Sequence, residues 1–167
     1  GFHLGDHGMW CKHSTFELDA RVPLIISAPG MKAKGQKTRA LTELVDVYPT
    51  LTELCNLEQP EHLQGKSLVP LFNTPNLKWK DAVFTQYPSG GHSWRRQKNS
   101  PPEVMGYSMR TDQYRYTEWI KTEDNLVVAR ELYNHITDPD ENINVAEKPE
   151  HAALVASLSE MLHSGKN

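Results

Sequence analysis

Residues 106–120 read GYSMRTDQYRYTEWI, two short runs of aromatic and apolar residues separated by Thr111-Asp112-Gln113. Aromatic and β-branched residues suit a pleated, half-buried surface, and the polar triplet suits a tight turn, so the stretch predicts an antiparallel hairpin. Similar pieces lie on either side of it: AVFTQY (82–87) before, and RELYNHI (130–136) with TDPDENIN (137–144) after. Together they predict an antiparallel meander. Within it, Tyr114, Arg115, Tyr116 and Trp119 read as a strand packing one face on a helix, not as a binding surface. TDPDENIN lacks the twelve-residue acidic spacing and final glutamate of an EF-hand, so a turn built on Asp138-Pro139 is the better reading.

The covering helix comes last. HAALVASLSEMLHSG (151–165) places Leu154, Val155, Leu158, Met161 and Leu162 on one stripe at helical spacing, which predicts an α+β subdomain closed by a C-terminal helix. Toward the N-terminus the pattern changes. In RVPLIISAPG (21–30) a short apolar run ends at Pro29-Gly30, the signature of a strand buried on both faces, as in a parallel or mixed sheet covered by helices. Residues 31–40 are a polar, basic connector. ELVDVYPTLTELCNL (43–57) has Leu44, Val47, Leu51, Leu54 and Cys55 at helical spacing, and Asp46 as N-cap puts Pro49 in the first turn, where its missing N–H costs no helical bond. Gln59 to Lys80, with Pro60, Gly65, Pro70 and Pro75, reads as a surface crossing between two subdomains.

Length and charge narrow the possible functions. The 167 residues are enough for one core or two small subdomains. Net charge is −3 and the 18 basic residues are scattered, so no phosphate-tracking face is announced and nucleic acid is not expected as a partner. No run of about eighteen apolar residues exists, so no membrane-spanning helix is expected. Cys11 and Cys55 have neither metal-ligand spacing nor the density of a disulfide scaffold, and read as free, buried thiols.

The chemistry-bearing residues crowd the first seventeen positions, GFHLGDHGMWCKHSTFE. Lys12 offers a fixed cation, His3, His7 and His13 offer ligands or acid–base groups, and Asp6, Glu17 and Asp19 are carboxylates. The glycines imply a tightly turned backbone. His3 and His7 would share a helix face, but Gly5 and Gly8 argue against a helix there and hence against a zinc pair. Asp6 and His7 read as groups that hold the loop's shape. A second cluster lies in QYPSGGHSWRRQKNSPPEVM (86–105), where His92, Trp94, Arg95, Arg96 and Lys98 combine an aromatic plate with several cations. Trp stacks on the apolar face of a sugar and Arg or Lys pairs with its anion, so the loop suits a sulfated, carboxylated sugar; an ordinary basic surface loop is the alternative.

The colinear series LGDHGMWCKHSTFE (4–17), RVPLIISAPG, VDVYPTLTELCNL (45–57), LQGKSLVPLF (63–72), YSMRTDQYRYTEW (107–119) and ELYNHITDPDENINVA (131–146) resembles the C-terminal part of the sulfatases, members of the alkaline-phosphatase superfamily. QYP, a Trp-containing basic loop and MGYSMRTDQYRYTEW together look most like the iduronate-2-sulfatase branch. The resemblance implies an α/β fold, with residues 1–80 the C-terminal end of the catalytic domain and residues 81–167 an antiparallel-sheet subdomain. It implies sulfate-ester hydrolysis on an acidic glycan, in a periplasmic, secreted or lysosomal setting. It also implies a formylglycine, made from Cys or Ser in a Cys/Ser-x-Pro/Ala-x-Arg motif, and a divalent cation, usually calcium. Neither Cys11 nor Cys55 starts such a motif, and the family's last metal pair directly precedes the glycine matching Gly1. Both groups are therefore expected from the upstream part of the chain's own catalytic domain.

What the resemblance does place here is Lys12, matching the family's sulfate-contacting lysine in G-x-H-G-x-W-x-K, and Trp94 and Lys98 as the nearest matches to substrate contacts. The spacing of Arg95 and Arg96 departs from that branch. Two rival readings stand beside this one: a phosphoesterase of the same superfamily, and a non-catalytic sugar-binding module.

Overall fold

The computed structural model describes residues 1–89 and 102–165. The chain's contacts divide it into two compact units, one made of Gly1–Pro23 with Phe84–Asn167 and the other of Leu24–Val83.

The first unit is built on the predicted meander. Strands β3 (Ala82–Pro88), β4 (Val104–Thr111), β5 (Tyr114–Lys121) and β6 (Val127–Asn134) follow one another in sheet order. The β4–β5 and β5–β6 pairs are antiparallel, with Met109 opposite Tyr116 and Tyr116 opposite Leu132. Thr111 closes the β4–β5 turn, its Oγ1 accepting the Tyr114 N–H at 2.9 Å. Helix α4 (Ala152–Ser164) packs on β4 and β5 and buries Leu158 and Leu162. Met109, Tyr116 and Leu132, opposite one another in register, are fully buried, each contributing about 1.5–3 kcal/mol. Met161, expected in the apolar stripe, is exposed.

The sheet is covered on both faces, where the sequence predicted one. Alternate residues of β5 point to opposite sides. Tyr116 and Glu118 face α4, and Ser159 donates to Glu118 Oε1 at 2.7 Å. Arg115 and Thr117 point the other way, where Arg115 meets Glu17 and Glu141 and Phe16 lies 5.9 Å from the Tyr133 ring. Asp138 makes the predicted turn, accepting the amides of Asn142 and Ile143.

The second unit differs more from expectation. Gln59 to Lys80, expected as a surface crossing, holds its core: α3 (Val69–Asn73) buries Leu71 and Phe72, which join Leu68. Pro70 sits in the helix's first turn, so its missing N–H removes no helical bond. Helix α2 (Val47–Leu54) starts after Asp46 with Pro49 in the first turn, as predicted. Asp46 does not cap α2 with its side chain. Its buried carboxylate accepts the amides of Glu43 and Lys66 and the Lys80 ammonium. Leu44 and Leu51 are exposed, and the buried residues of α2 are Pro49, Thr50 and Thr52. The run Val22–Ala28 forms no strand, and Ile25 is 92% exposed; a parallel strand needs a neighbour to pair with, and the described residues supply none. Cys11 and Cys55 are free as expected, but both are exposed. Among the described residues no helix is long and apolar enough to cross a membrane.

Candidate functional site

The site is a turn of the first unit. Strands β1 (His3–Leu4) and β2 (Trp10–Cys11) pair antiparallel around a tight turn at Asp6–Gly8. Gly5 and Gly8 take φ of 120° and 67°, the left-handed region that glycine enters without a Cβ clash. Asp6 and His7 shape this turn, as expected. Asp6 accepts the Leu4 N–H at 3.2 Å, the main reason its carboxyl sits below the usual value. His7 stacks on Phe16, centroids 4.1 Å apart. The His3 and His7 rings meet edge to face, with centroids 5.7 Å apart.

The chain leaves β2 through Cys11, itself at φ 74°, directly into Lys12. Lys12, His13, Ser14, Asp19 and Tyr87 line an open hollow of about 210 Å³, below the ~300–1,000 Å³ of complete small-molecule pockets. Lys12 is exposed and, among the described residues, has no hydrogen-bond or ion-pair partner. His13 Nδ1 lies 2.8 Å from the Tyr87 hydroxyl, so β3 contributes a residue that sequence reasoning did not single out, although it stands in the quoted QYP.

Beneath the hollow is a partly buried network. Asp19, in the short helix α1 (Glu17–Ala20), accepts on one oxygen, Oδ2, the His13 amide at 3.0 Å, the Ser14 hydroxyl at 2.5 Å and the His3 ring at 3.2 Å. Burial pushes the Asp19 carboxyl up, but the hydrogen bonds from Ser14 and His13 and the nearby His3 ring outweigh it and hold it below the ordinary value. His3 is fully buried, and among the described residues His3 Nδ1 and Asp19 Oδ1 have no hydrogen-bond partner. Each such atom costs about 1–3 kcal/mol.

Glu17, His135 and Glu141 bring three potential ligand atoms within 4.8 Å of one another. They do not fit a cation. Arg115 already occupies the space between the carboxylates, its Nε 2.6 Å from Glu141 and its guanidinium 2.5 Å from Glu17. The Glu141 carboxyl is pushed up by burial but held below its ordinary value by His135, Arg115 and the Glu17 amide. This is an ion-pair core tying α1 to β5 and to the turn after β6. Its buried Arg and Glu were not legible in the strand pattern.

His92, Trp94, Arg95, Arg96 and Lys98 lie outside the described residues. The strands on either side of them are described. The Ser89 amide donates to the Val104 carbonyl at 2.9 Å, joining the end of β3 to the start of β4, and Tyr87, two residues before Ser89, reaches the Lys12 hollow.

Against this geometry, the family described as N-sulphoglucosamine sulphohydrolase, C-terminal, matches residues 5–167. Mouse iduronate 2-sulfatase is 31% identical over 216 residues, covering 95% of this chain and 39% of that protein. Human arylsulfatase K is 33% identical over 162 residues, covering 95% of this chain and 28% of that protein. A solved structure in complex with its substrate D-glucosamine-2-N,6-O-disulfate superposes with a TM-score of 0.78 at 26% identity, covering 98% of this chain and 32% of that one. The phosphonate monoester hydrolase of Agrobacterium radiobacter superposes with a TM-score of 0.77 at 28% identity, covering 96% of this chain and 32% of that one. The chain thus spans well under half the length of these relatives. Its architecture is the one expected, the end of an alkaline-phosphatase-like α/β domain followed by an α+β subdomain with a small antiparallel sheet and a C-terminal helix. With a match through nearly its whole length and a shared fold, the chain belongs to the sulfatase family, as its C-terminal part.

Proposed function

We propose that the complete protein hydrolyses sulfate esters on an acidic glycan, and that Lys12 is the catalytic group this chain contributes. One observation carries the reading: an ammonium with no partner among the described residues leaves the β1–β2 hairpin into a hollow whose floor is held by the largely buried Asp19 carboxylate. Cleaving a sulfate ester builds negative charge on the non-bridging and leaving oxygens, and a positioned cation stabilises that charge most where water is excluded. The hollow is small because it is one wall of a site, with the other wall, the formylglycine and the calcium belonging to the upstream part of the catalytic domain. In that reading residues 1–80 end the catalytic domain and residues 81–167 form the subdomain, whose loop bearing His92, Trp94, Arg95, Arg96 and Lys98 binds the sugar.

A second reading, phosphoester hydrolysis, is favoured by the likeness to the phosphonate monoester hydrolase. Turnover of 4-nitrophenyl sulfate, 4-nitrophenyl phosphate and a phenyl phosphonate ester by the complete protein separates the two. Sulfate should be the preferred substrate, and a preference for either phosphorus ester would install the second reading. Lys12→Ala should lower kcat about a hundredfold or more, the effect of losing one oxyanion donor worth ~2.7–4 kcal/mol. The melting midpoint should stay unchanged.

A further inference from the structure

We infer that Asp19 is a positioning residue for Lys12, acting through the two residues that follow the lysine. The inference rests on the reading of Lys12 given above and adds a device that holds it. A lysine side chain has four rotatable carbons, so its ammonium is delivered accurately only if its backbone is fixed. On the N-terminal side the β1–β2 hairpin does this, with Leu4 opposite Trp10 and His3 opposite Cys11. On the C-terminal side no ladder continues among the described residues, and the next strand in the chain is β3.

There the Asp19 carboxylate takes over. Its Oδ2 accepts from the main-chain N–H of His13 and from the side chain of Ser14, and Ser14 Oγ in turn accepts the Phe16 amide at 3.2 Å. One oxygen thus gathers residues 13, 14 and, through the serine, 16. His3 approaches the same oxygen at 3.2 Å from the hairpin side, linking β1 to the turn after β2. The carboxylate is 7% exposed and the imidazole wholly buried, so the clamp is anchored on its His3 side while its bond to the His13 amide lies at the open hollow. Among the described residues the buried atoms His3 Nδ1 and Asp19 Oδ1 carry no partner. Buried polar atoms in native proteins are nearly always satisfied; here polar groups are kept under the lysine turn although part of their bonding capacity goes unused.

The experiment uses the complete protein, 4-nitrophenyl sulfate and the variants Lys12→Ala, Asp19→Ala, Asp19→Asn and Ser14→Ala, with kcat, KM, melting midpoint and hydrogen exchange of the His13 amide measured for each. Asp19→Ala should lower kcat at least tenfold with KM changed less than about twofold, because a misplacement of about 1 Å can cost ~100-fold in rate. Its His13 amide should exchange faster. Asp19→Asn keeps an oxygen in place to accept from residues 13 and 14, and should retain kcat within about threefold, a rescue that a requirement for bulk alone would extend to other fillers and a requirement for charge would deny. If Asp19→Ala does not fold, Ser14→Ala decides: a kcat loss of threefold or more at an unchanged midpoint supports the inference, and an unchanged kcat overturns it. Faster His13 exchange with kcat intact also overturns it; if Lys12→Ala still lowers kcat about a hundredfold or more, the reading of Lys12 survives. An unaffected Lys12→Ala variant instead removes that reading, and the role given to Asp19 falls with it.

Discussion

Arg115 Nε donates to Glu141 Oε1 across 2.6 Å, with both side chains almost sealed from water. The same guanidinium reaches Glu17 and Ser108, so one arginine of β5 satisfies two carboxylates and a hydroxyl from three other parts of the unit. Isolating a charge in such a place costs more than the pair gains. Arg115→Met should therefore destabilise the fold by about 3–5 kcal/mol, by leaving the buried Glu141 and the half-buried Glu17 without their main partner. Thermal or urea unfolding checks this, and a change within about 0.5 kcal/mol, the range of a surface substitution, would contradict it. Arg115→Lys should not rescue, because an ammonium cannot present the Nε and terminal N–H groups in one planar fork.

The carboxylates of this unit also set its acid limit. Burial raises Glu118 and Glu141, but hydrogen bonds and neighbouring charge, from Ser159, Tyr116 and His163 in one case and His135, Arg115 and the Glu17 amide in the other, leave both below the ordinary value of 4.5. A carboxyl depressed in the folded state binds fewer protons there than in the unfolded chain. The stability it contributes is complete above about pH 4.5 and is lost as pH falls through the folded values. Denaturation midpoints should fall below that pH, and Glu118→Gln should flatten the decline relative to wild type. An equal slope in the two proteins would remove Glu118 from the acid transition.

Gly106 stands opposite Trp119 in the β4–β5 register, and a Cβ built on it would come within 2.7 Å of the indole ring. The ring cannot easily give way, because its N–H is held by Glu131 at 2.7 Å. Gly106→Ala should thus cost about 1–3 kcal/mol by overpacking. Trp119→Ala in the same chain should make the alanine nearly neutral, a coupling that a double-mutant cycle measures. Additive losses would mean that the glycine serves the backbone alone.

Much of this first unit was legible. The strands, the turn at Thr111-Asp112-Gln113 and the C-terminal helix follow from period and turn chemistry, and these are local signals. Arg115 and Glu118 were not, since a charged residue in a strand reads as solvent-facing until a partner is known, and their partners lie 98 and 41 residues away at Glu17 and Ser159. The second unit misled for a related reason. Prolines made residues 59–80 look like surface, yet Leu68, Leu71 and Phe72 bury themselves within one helical turn of Pro70. In the site, motif spacing pointed to Lys12. That Asp19, His3 and Tyr87 converge on its turn depends on folding between β2 and β3, which no spacing reports.

The basic loop should decide substrate choice more than chemistry. Residues 90–101 connect β3 to β4, and Tyr87 on β3 lines the Lys12 hollow, so the segment begins three residues beyond a side chain already at the proposed site. If Trp94 stacks on a sugar and Lys98 pairs with its carboxylate, Trp94→Ala and Lys98→Ala should raise KM for a sulfated uronic-acid disaccharide while leaving kcat and 4-nitrophenyl sulfate turnover unchanged, as expected when an interaction equal in ground and transition states is lost. Lys98 is the strongest expectation among the cations, because a single ammonium tolerates differences in loop length better than the fork of Arg95 or Arg96. Repeating the comparison at low and high salt separates two kinds of contact: exposed charges are screened over ~8–10 Å near physiological ionic strength, and a desolvated pair is screened much less. The Lys98→Ala effect should persist at high salt. Equal losses on the disaccharide and the aryl sulfate, or no loss on either, would return the loop to the ordinary protein surface.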